Sequence, residues 1–394
     1  MADLFVYFFE KELKLLKEGG YLGMIVSNKW LKAGYALKLR RLLRKYWIEQ
    51  FIDFGDLKVF PDATTYPCII IMRKIEKENP KIRVCLVRSL NFPSLESYVK
   101  ENEFTVNQHQ LDDNGWNFQS NDIAKLLAKI RSQSISLKEY TRDEVYRGII
   151  TGLTEAFVID KDTKDLLIQE DRKSAEIIMP FLTGKEVRRY GISFKEKYVI
   201  LTRIGVDIQR YPAILKWLSK FKPELEKRWD KGNYWYELRA CDYYDLFEKP
   251  KLIYGVITVA PRFAIDTKGY FANNANFFIP TEDKQLLAIL NSKLGWFLIM
   301  NTCTQVQDGY QLIWKYFGNA PIAKKRDPEL EKLVERMLIL NKQLSELGDK
   351  RTDEKARIEE EAKKLDTEID ELVYKLYSIT EEEKNVIEES LNLK

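Results

Sequence analysis

Apolar positions follow different patterns along this chain. Over residues 3–18, Leu4, Phe5, Phe8, Phe9, Leu13 and Leu16 recur at helical spacing, and Gly19-Gly20 closes the run as a C-cap would. Tyr21–Val26 then reads as a buried strand, 34–46 as a second helix, Ile48–Phe54 as a second strand and Pro67–Met72 as a third apolar run. Strands without polar alternation, spaced by helices, predict a sheet covered on both faces, hence α/β. Only three strands precede the change of character near Ile75, whereas a free-standing doubly wound domain has roughly five or more. The chain therefore reads as beginning inside a domain.

Residues 80–135 are mixed and polar, with a short strand expected at Ile82–Val87 and a helix near Asp122–Arg131. From Ser136 to Ile322 short strands, aromatics and turn residues predict a separate α+β domain, with its clearest helix at Tyr211–Arg228, opened by Tyr211-Pro212. In the tail, Leu330, Leu333, Met337, Leu340, Leu344 and Leu347 alternate spacings of three and four, and Ile358, Ala362, Leu365, Ile369, Leu372 and Leu376 do so after Gly348. Two such stripes joined at a glycine predict an antiparallel helical hairpin, and Thr380-Glu381-Glu382-Glu383 matches a capping box for a last helix. The expected layout is 1–78, 79–135 as a connection, 136–322, and 323–394 as the hairpin tail.

Composition narrows the class. With 394 residues, 45% hydrophobic and 12% aromatic, the chain is not globally disordered. Cys68, Cys85, Cys241 and Cys303 form no Cys-x-x-Cys pair, and His109 is the lone histidine. That argues against a zinc ribbon, a disulfide framework, a two-histidine metal site and a Ser-His-Asp triad, so no metal is expected. No apolar run approaches the ~20 residues of a membrane helix, and the start, Met-Ala-Asp-Leu-Phe, lacks the order of a signal peptide. A soluble cytoplasmic protein without a membrane partner is expected.

The net charge of +4 hides an asymmetry. Residues 323–394 hold 15 Lys and Arg against 20 Asp and Glu, which leaves the body at +9. A basic body points to a polyanion partner. Within it, Lys29, Lys32, Lys38, Arg40, Arg41, Arg44 and Lys45 follow one another with no acid between Gly19 and Ile48.

No catalytic motif stands out. Gly19-Gly20-Tyr21-Leu22-Gly23 precedes a strand instead of following one, so it reads as a turn and not as a phosphate loop. Pro61-Asp62 and Asp266-Thr267-Lys268 each resemble a fragment of a metal-dependent nuclease site, but lack a second carboxylate at convincing spacing. The binding signals are stronger. Thr183–Tyr190 places three cations and a tyrosine after a glycine, and Asn273–Asn276 and Thr304–Tyr310 offer amides in expected loops. Amides pair bidentately with adenine and arginine with guanine, while arginine and lysine anchor phosphates. The asparagine run reads equally well as a simple turn.

With these residues in view, the chain resembles the adenine-N6 DNA methyltransferases of type IIG restriction–modification systems with a TaqI-like specificity domain. Asp3–Glu10, Leu15–Leu31 and Ile52–Cys68 (Ile-Asp-Phe-Gly-Asp-Leu-Lys-Val-Phe-Pro-Asp-Ala-Thr-Thr-Tyr-Pro-Cys) look like the family's segment after the catalytic loop and its last core strands. Pro180–Tyr190, the Tyr211-Pro212 helix and Leu290–Leu294 look like its specificity domain, and Ile369–Tyr377 like its ending.

The resemblance implies a partial methyltransferase sheet, Rossmann-like and truncated at its start, then an α+β target-recognition domain and the hairpin. It implies duplex DNA as partner and S-adenosylmethionine as cofactor of the complete enzyme. The family's glycine-rich S-adenosylmethionine loop and its Asn-Pro-Pro-Tyr-type loop are not found here; Asn91-Phe92-Pro93-Ser94 lies in the wrong place and order. A missing N-terminal catalytic half or a partner subunit is therefore expected, and this chain alone is expected to be inactive. The alternative is a non-catalytic specificity subunit that recruits separate methyltransferase or nuclease chains. Tyr66 would stack on the flipped adenine or simply pack. The expected DNA contacts are Lys29, Arg40, Arg41, Lys185, Arg188, Arg189, Arg203, Arg262, Asn274, Asn276, Gln305 and Gln307.

Overall fold

The structure is a computed structural model that describes residues 3–392 except 56, 64, 112, 114, 117, 119, 307–308 and 349–351. The chain divides into two compact units, one of residues 1–132 with 305–308 and 385–394, the other of residues 133–304 and 309–384.

The first unit is built on a five-stranded sheet. Its strands are β1 (Tyr21–Ser27), β2 (Trp47–Asp53), β3 (Pro67–Arg73), β4 (Lys81–Leu86) and β5 (Phe104–Asn107), in spatial order β1-β3-β2-β4-β5. The pair β2–β4 is parallel and the other three pairs are antiparallel, so the sheet is mixed. The cause lies in the connection: β3 follows β2 through a loop without a crossover helix, which returns the chain antiparallel. Helix α1 (Leu4–Leu15), a 3-10 turn at Gly34–Ala36 and helix α2 (Leu37–Leu43) fall within the expected helical spans. One core joins Phe9, Leu13, Trp30, Leu43, Phe51, Met72 and Trp116; another joins Ile52, Phe54, Cys85, Val87 and Val99. Adjacent Phe51 and Ile52 thus feed different cores, as neighbouring residues of a strand should.

Two expectations change here. Strand β1 is not buried on both faces, because it ends the sheet among the described residues and leaves Tyr21 and Ile25 exposed. The span 79–135, read as a connection, supplies β4, β5, helix α3 (Leu95–Asn102) and helix α4 (Asn121–Ser132) to the first unit.

The second unit contains two four-stranded sheets. One orders strands Phe271–Ala272, Ile178–Leu182, Lys197–Ile200 and Val158–Asp160; the other orders Phe263–Asp266, Lys251–Gly255, Asn276–Ile279 and Tyr146–Arg147. Phe157, Phe181, Ile214, Phe247, Ile253, Phe271 and Phe278 share their core. The helix expected at Tyr211–Arg228 is two helices, Pro212–Ser219 and Lys222–Lys227. Pro223 explains the break, since its ring would clash with the Ser219 carbonyl in a continuous helix.

Buried helix Lys284–Asn291 runs into Lys293–Thr302 across Ser292, whose hydroxyl accepts from Gly295 N at 3.0 Å. The tail helices Pro328–Leu347 and Asp353–Leu376 pack on each other, tied by Arg336–Glu361 at 2.6 Å. Their buried positions are Leu330, Val334, Met337 and Leu340 on the first, and Leu365, Ile369, Val373 and Tyr374 on the second. Thr380 and Glu383 exchange the two hydrogen bonds of a capping box at 2.9 and 3.3 Å.

Candidate nucleic-acid interface

Two clusters carry the expected site residues, one in each unit. In the first unit β1 and β2 end, and β3 begins, at one edge of the sheet. Asn28 Nδ2 there donates to Asp53 Oδ1 at 2.8 Å, and Gly55 N donates to the same oxygen at 2.9 Å. Burial pushes the Asp53 carboxyl above its ordinary value, and those two hydrogen bonds oppose the rise. Asn28 N binds the Tyr66 carbonyl at 2.7 Å, and the Lys29 ammonium stands 5.9 Å from the centre of the half-buried Tyr66 ring. Gln305 joins this edge: its amide nitrogen lies 3.9 Å from the place a Cβ on Gly55 would occupy. It was expected among the residues of the specificity domain and belongs to the first compact unit instead. Trp30 faces inward, with its ring edge-on to Trp116 at 5.2 Å.

The basic run beside this edge divides by burial. Arg40 is only 2% exposed, and its guanidinium donates to the carbonyls of Trp30 (2.6 Å), Ala33 (2.9 Å) and Asp113 (2.9 Å). Arg40 is therefore a backbone clamp and not a phosphate contact, a correction to the expectation. Arg41 and Arg44 are at the surface and share the Asp113 carboxylate at 2.8 and 3.0 Å. With Lys45, Lys77 and His109 they line an open cleft of about 560 Å³.

In the second unit, local hydrogen bonds shape a turn that presents cations. Buried Glu186 accepts from Thr183 N at 3.0 Å and Thr183 Oγ1 at 2.7 Å, which closes the turn and leaves Lys185 and Arg188 exposed. Gly184 has a φ of +104°, and its missing Cβ would sit 3.2 Å from Ala275 Cβ. The neighbouring loop is held by Asn273, whose Nδ2 donates to Thr183 O at 2.9 Å and whose Oδ1 accepts from Ala275 N and Asn276 Nδ2 at 3.1 Å each. Arg147 Nε donates to the Asn274 carbonyl at 3.1 Å. Gly148 has no room for a side chain, since a Cβ would meet Asn273 O at 1.9 Å.

This geometry sorts the remaining expected contacts. Lys185, Arg188 and Arg262 are exposed, and Asn274 is half-exposed. Asn276 is 1% exposed and supports its own loop, so it is not a base-reading amide. Arg189 turns inward: it donates twice to the Asn291 carbonyl, at 3.0 and 2.6 Å, and pairs with Asp366 of the tail helix. The arginine read as a DNA contact therefore fixes the tail helix to the domain. Arg203 pairs with Asp245 at 2.6 Å and Glu248 at 3.5 Å and lies over the Tyr244 ring. Gln307 lies outside the described residues. Asp266, one fragment of the supposed nuclease site, is completely buried against Lys251 at 2.5 Å.

Sequence reading missed the Asn28–Asp53 pair and the Lys251–Asp266 pair. For the first, a signal existed: a polar residue directly after one apolar strand and an aspartate ending the next. For the second there was none, because the two residues meet only through strand register.

Comparison with known proteins bears on these clusters. Residues 179–322 match the family described as TaqI-like C-terminal specificity domain, and residues 1–60 match the Eco57I restriction-modification methylase family. The chain is 22% identical over 334 residues to the type II methyltransferase M.PaeR7I of Pseudomonas aeruginosa, covering 78% of this chain and 56% of that protein. It is 25% identical over 356 residues to the type II restriction enzyme and methyltransferase RM.Eco57I of Escherichia coli, covering 75% of this chain and 34% of that protein. The fold is similar to that of the type IIL restriction-modification enzyme MmeI, solved in complex with DNA, with a TM-score of 0.59 at 12% identity over 96% of this chain and 50% of that one. The chain thus spans between a third and just over half of the curated relatives named here. In family terms, the chain is similar over residues 179–322 to the TaqI-like C-terminal specificity domain and over residues 1–60 to the Eco57I restriction-modification methylase.

Proposed function

We propose that this chain reads DNA sequence for a site-specific adenine-N6 DNA methyltransferase of a restriction–modification system and contributes the last strands of its catalytic sheet. The observation that carries this reading is the braced turn Thr183–Arg188, which buried Glu186 and the neighbouring half-buried Asn273 hold so that Lys185 and Arg188 face water. A turn fixed from within that spends no bond on its own cations is suited to phosphates and base edges. The edge formed by Asn28, Lys29, Asp53, Tyr66 and Gln305 would border the pocket of a flipped base, with Tyr66 against it.

S-adenosylmethionine would supply the methyl group in the complete enzyme. The residues described here do not form its cradle. Gly19 and Gly20 lead into β1 instead of linking a strand to a helix, and Asp53 Oδ1 accepts from Asn28 Nδ2 and Gly55 N. No chemical step is assigned to this chain. The catalytic loops would come from a further segment or a separate chain. In support, β1 has one neighbour among the described residues, and Leu4, Tyr7 and Phe8 expose an apolar face on α1.

The experiment is binding of the full chain to a random duplex library across a salt series, followed by sequencing of retained duplexes. Enrichment of a short motif supports sequence reading by this chain alone, and loss of retention at every salt concentration would overturn the proposal. Replacing Lys185 and Arg188 together by alanine should weaken binding and lower the slope of log K against log salt by about two, since each phosphate contact contributes roughly 0.9. An unchanged slope and affinity in the double variant would remove this turn from the interface.

A further inference from the structure

Residues 228–237 form a loop that is anchored like a core element yet ends in water. Arg228 is buried, and its guanidinium donates to the carbonyls of Thr151, Trp235 and Glu237, each at 2.8 Å. Glu237 is completely buried and accepts from Gly205 N at 2.8 Å and Tyr234 N at 3.0 Å. Two charged side chains are thus committed to holding the path of one short loop. At its start, directly after Arg228, Trp229 is 100% exposed. Tyr234 is also exposed and stacks on Tyr236 at 5.4 Å with the rings 6° apart.

A tryptophan held in water is unusual, because the ring is large and most of its area ordinarily packs. A loose loop could fold the indole back onto the domain; this loop is braced so that it does not. Its surroundings are mostly charged, with Ile204 as an exposed apolar neighbour beside Gly232. Lys222 and Lys227 are exposed, Lys222 sharing its charge with Glu226 at 3.7 Å, and Lys231 is held by the carbonyls of Glu226 at 2.8 Å and Arg228 at 3.2 Å. A partner helix or peptide would need an apolar groove around the ring. A base unstacked from a duplex needs an aromatic face to replace its neighbour, with cations beside it for the backbone.

The position of the loop agrees with this. Arg228 grips Thr151, while Ile149 bridges to Asn273, whose amide holds the Thr183 turn. Residues 149–152 span at most about 11 Å when extended. The loop that bears the indole is thus linked through residues 149–151 and Asn273 to the turn that carries Lys185 and Arg188.

We infer that Trp229 is a stacking contact of the specificity domain, its indole lying against a base face that the bound duplex exposes by local unstacking, while the flanking lysines meet phosphates. This rests on the DNA-reading function proposed above and adds a residue and a mode of contact to it.

The test uses the full chain with Trp229→Ala and Trp229→Phe, a mixed-sequence duplex and several salt concentrations. Trp229→Ala should bind roughly tenfold more weakly or worse, as expected for loss of one stacked base. Its salt slope should match that of the unaltered chain, because stacking releases no counterions. Trp229→Phe should recover most of the affinity, and the melting temperatures should agree because the side chain makes no core contact. Should truncation disturb the loop, Trp229→Gln serves as the second polar variant. Affinity within twofold of the unaltered chain in the Ala and Gln variants overturns the inference, as does a salt slope that falls with the affinity. If the unaltered chain fails to bind at low salt, the DNA-reading function falls and this inference with it; if it binds and the variants bind equally, only the stacking contact falls.

Discussion

Replacing Lys251 by methionine is expected to destabilise the second unit by roughly 3–5 kcal/mol, the usual cost of breaking a buried ion pair from one side. Lys251 and Asp266 are each completely buried, with Nζ and Oδ2 2.5 Å apart on antiparallel strands where the two residues are register partners. The ammonium also donates to the Phe247 carbonyl, and Asp266 accepts from Lys268 N at 2.7 Å and Tyr270 N at 2.8 Å. Burial holds the Lys251 pKa below its ordinary value, and the carboxylate opposes that fall. Removing the lysine leaves a carboxylate in the core with two amide donors and no cation. The double variant Lys251→Met with Asp266→Asn should recover at least half of the loss, because the amide keeps an acceptor for the turn and carries no charge. Denaturant unfolding followed by tryptophan fluorescence would read both variants. A single variant within 1 kcal/mol of the unaltered chain would show that the pair is not the anchor described.

What could be read from the sequence followed the range of the interactions concerned. Local signals held: the capping box at Thr380–Glu383, the first tail stripe through Leu330, Met337 and Leu340, and the ends of β2 and β3 within a residue or two. Periodicity reports only which side of an element is apolar. It could not show that β3 returns antiparallel to β2, nor that Lys81–Leu86 and Phe104–Asn107 join the same sheet. The site residues divided in the same way. Lys185 and Arg188 are at the surface, as a turn after Gly184 suggests. Arg189, one residue further on, points the other way to meet Asn291 and Asp366, which lie 102 and 177 residues distant in sequence. Arg188 ends a short strand and Arg189 opens the turn after it, and successive residues of a helix are likewise turned away from one another, so a run of basic residues does not make a basic face.

Arg40 and Arg41 give that principle its clearest expected outcome. Arg40→Ala should destabilise the first unit by about 3 kcal/mol or more, because three carbonyls lose their donor and each buried unsatisfied group costs roughly 1–3 kcal/mol. The carbonyls belong to Trp30, Ala33 and Asp113, so one guanidinium joins the turn after β1, the start of the α2 region and a segment 73 residues away in sequence. Arg40→Lys should recover little, since a single ammonium cannot span three acceptors set out for a planar fork. Arg41→Ala should leave the melting temperature unchanged, because its pair with Asp113 is at the surface and screened by water. It should still weaken DNA binding at low salt if the cleft beside it meets phosphates. Neighbouring arginines that look alike in sequence would then separate cleanly, one moving stability and the other affinity. If Arg40→Ala melted with the unaltered chain and lost DNA affinity instead, the assignment of the two would be reversed.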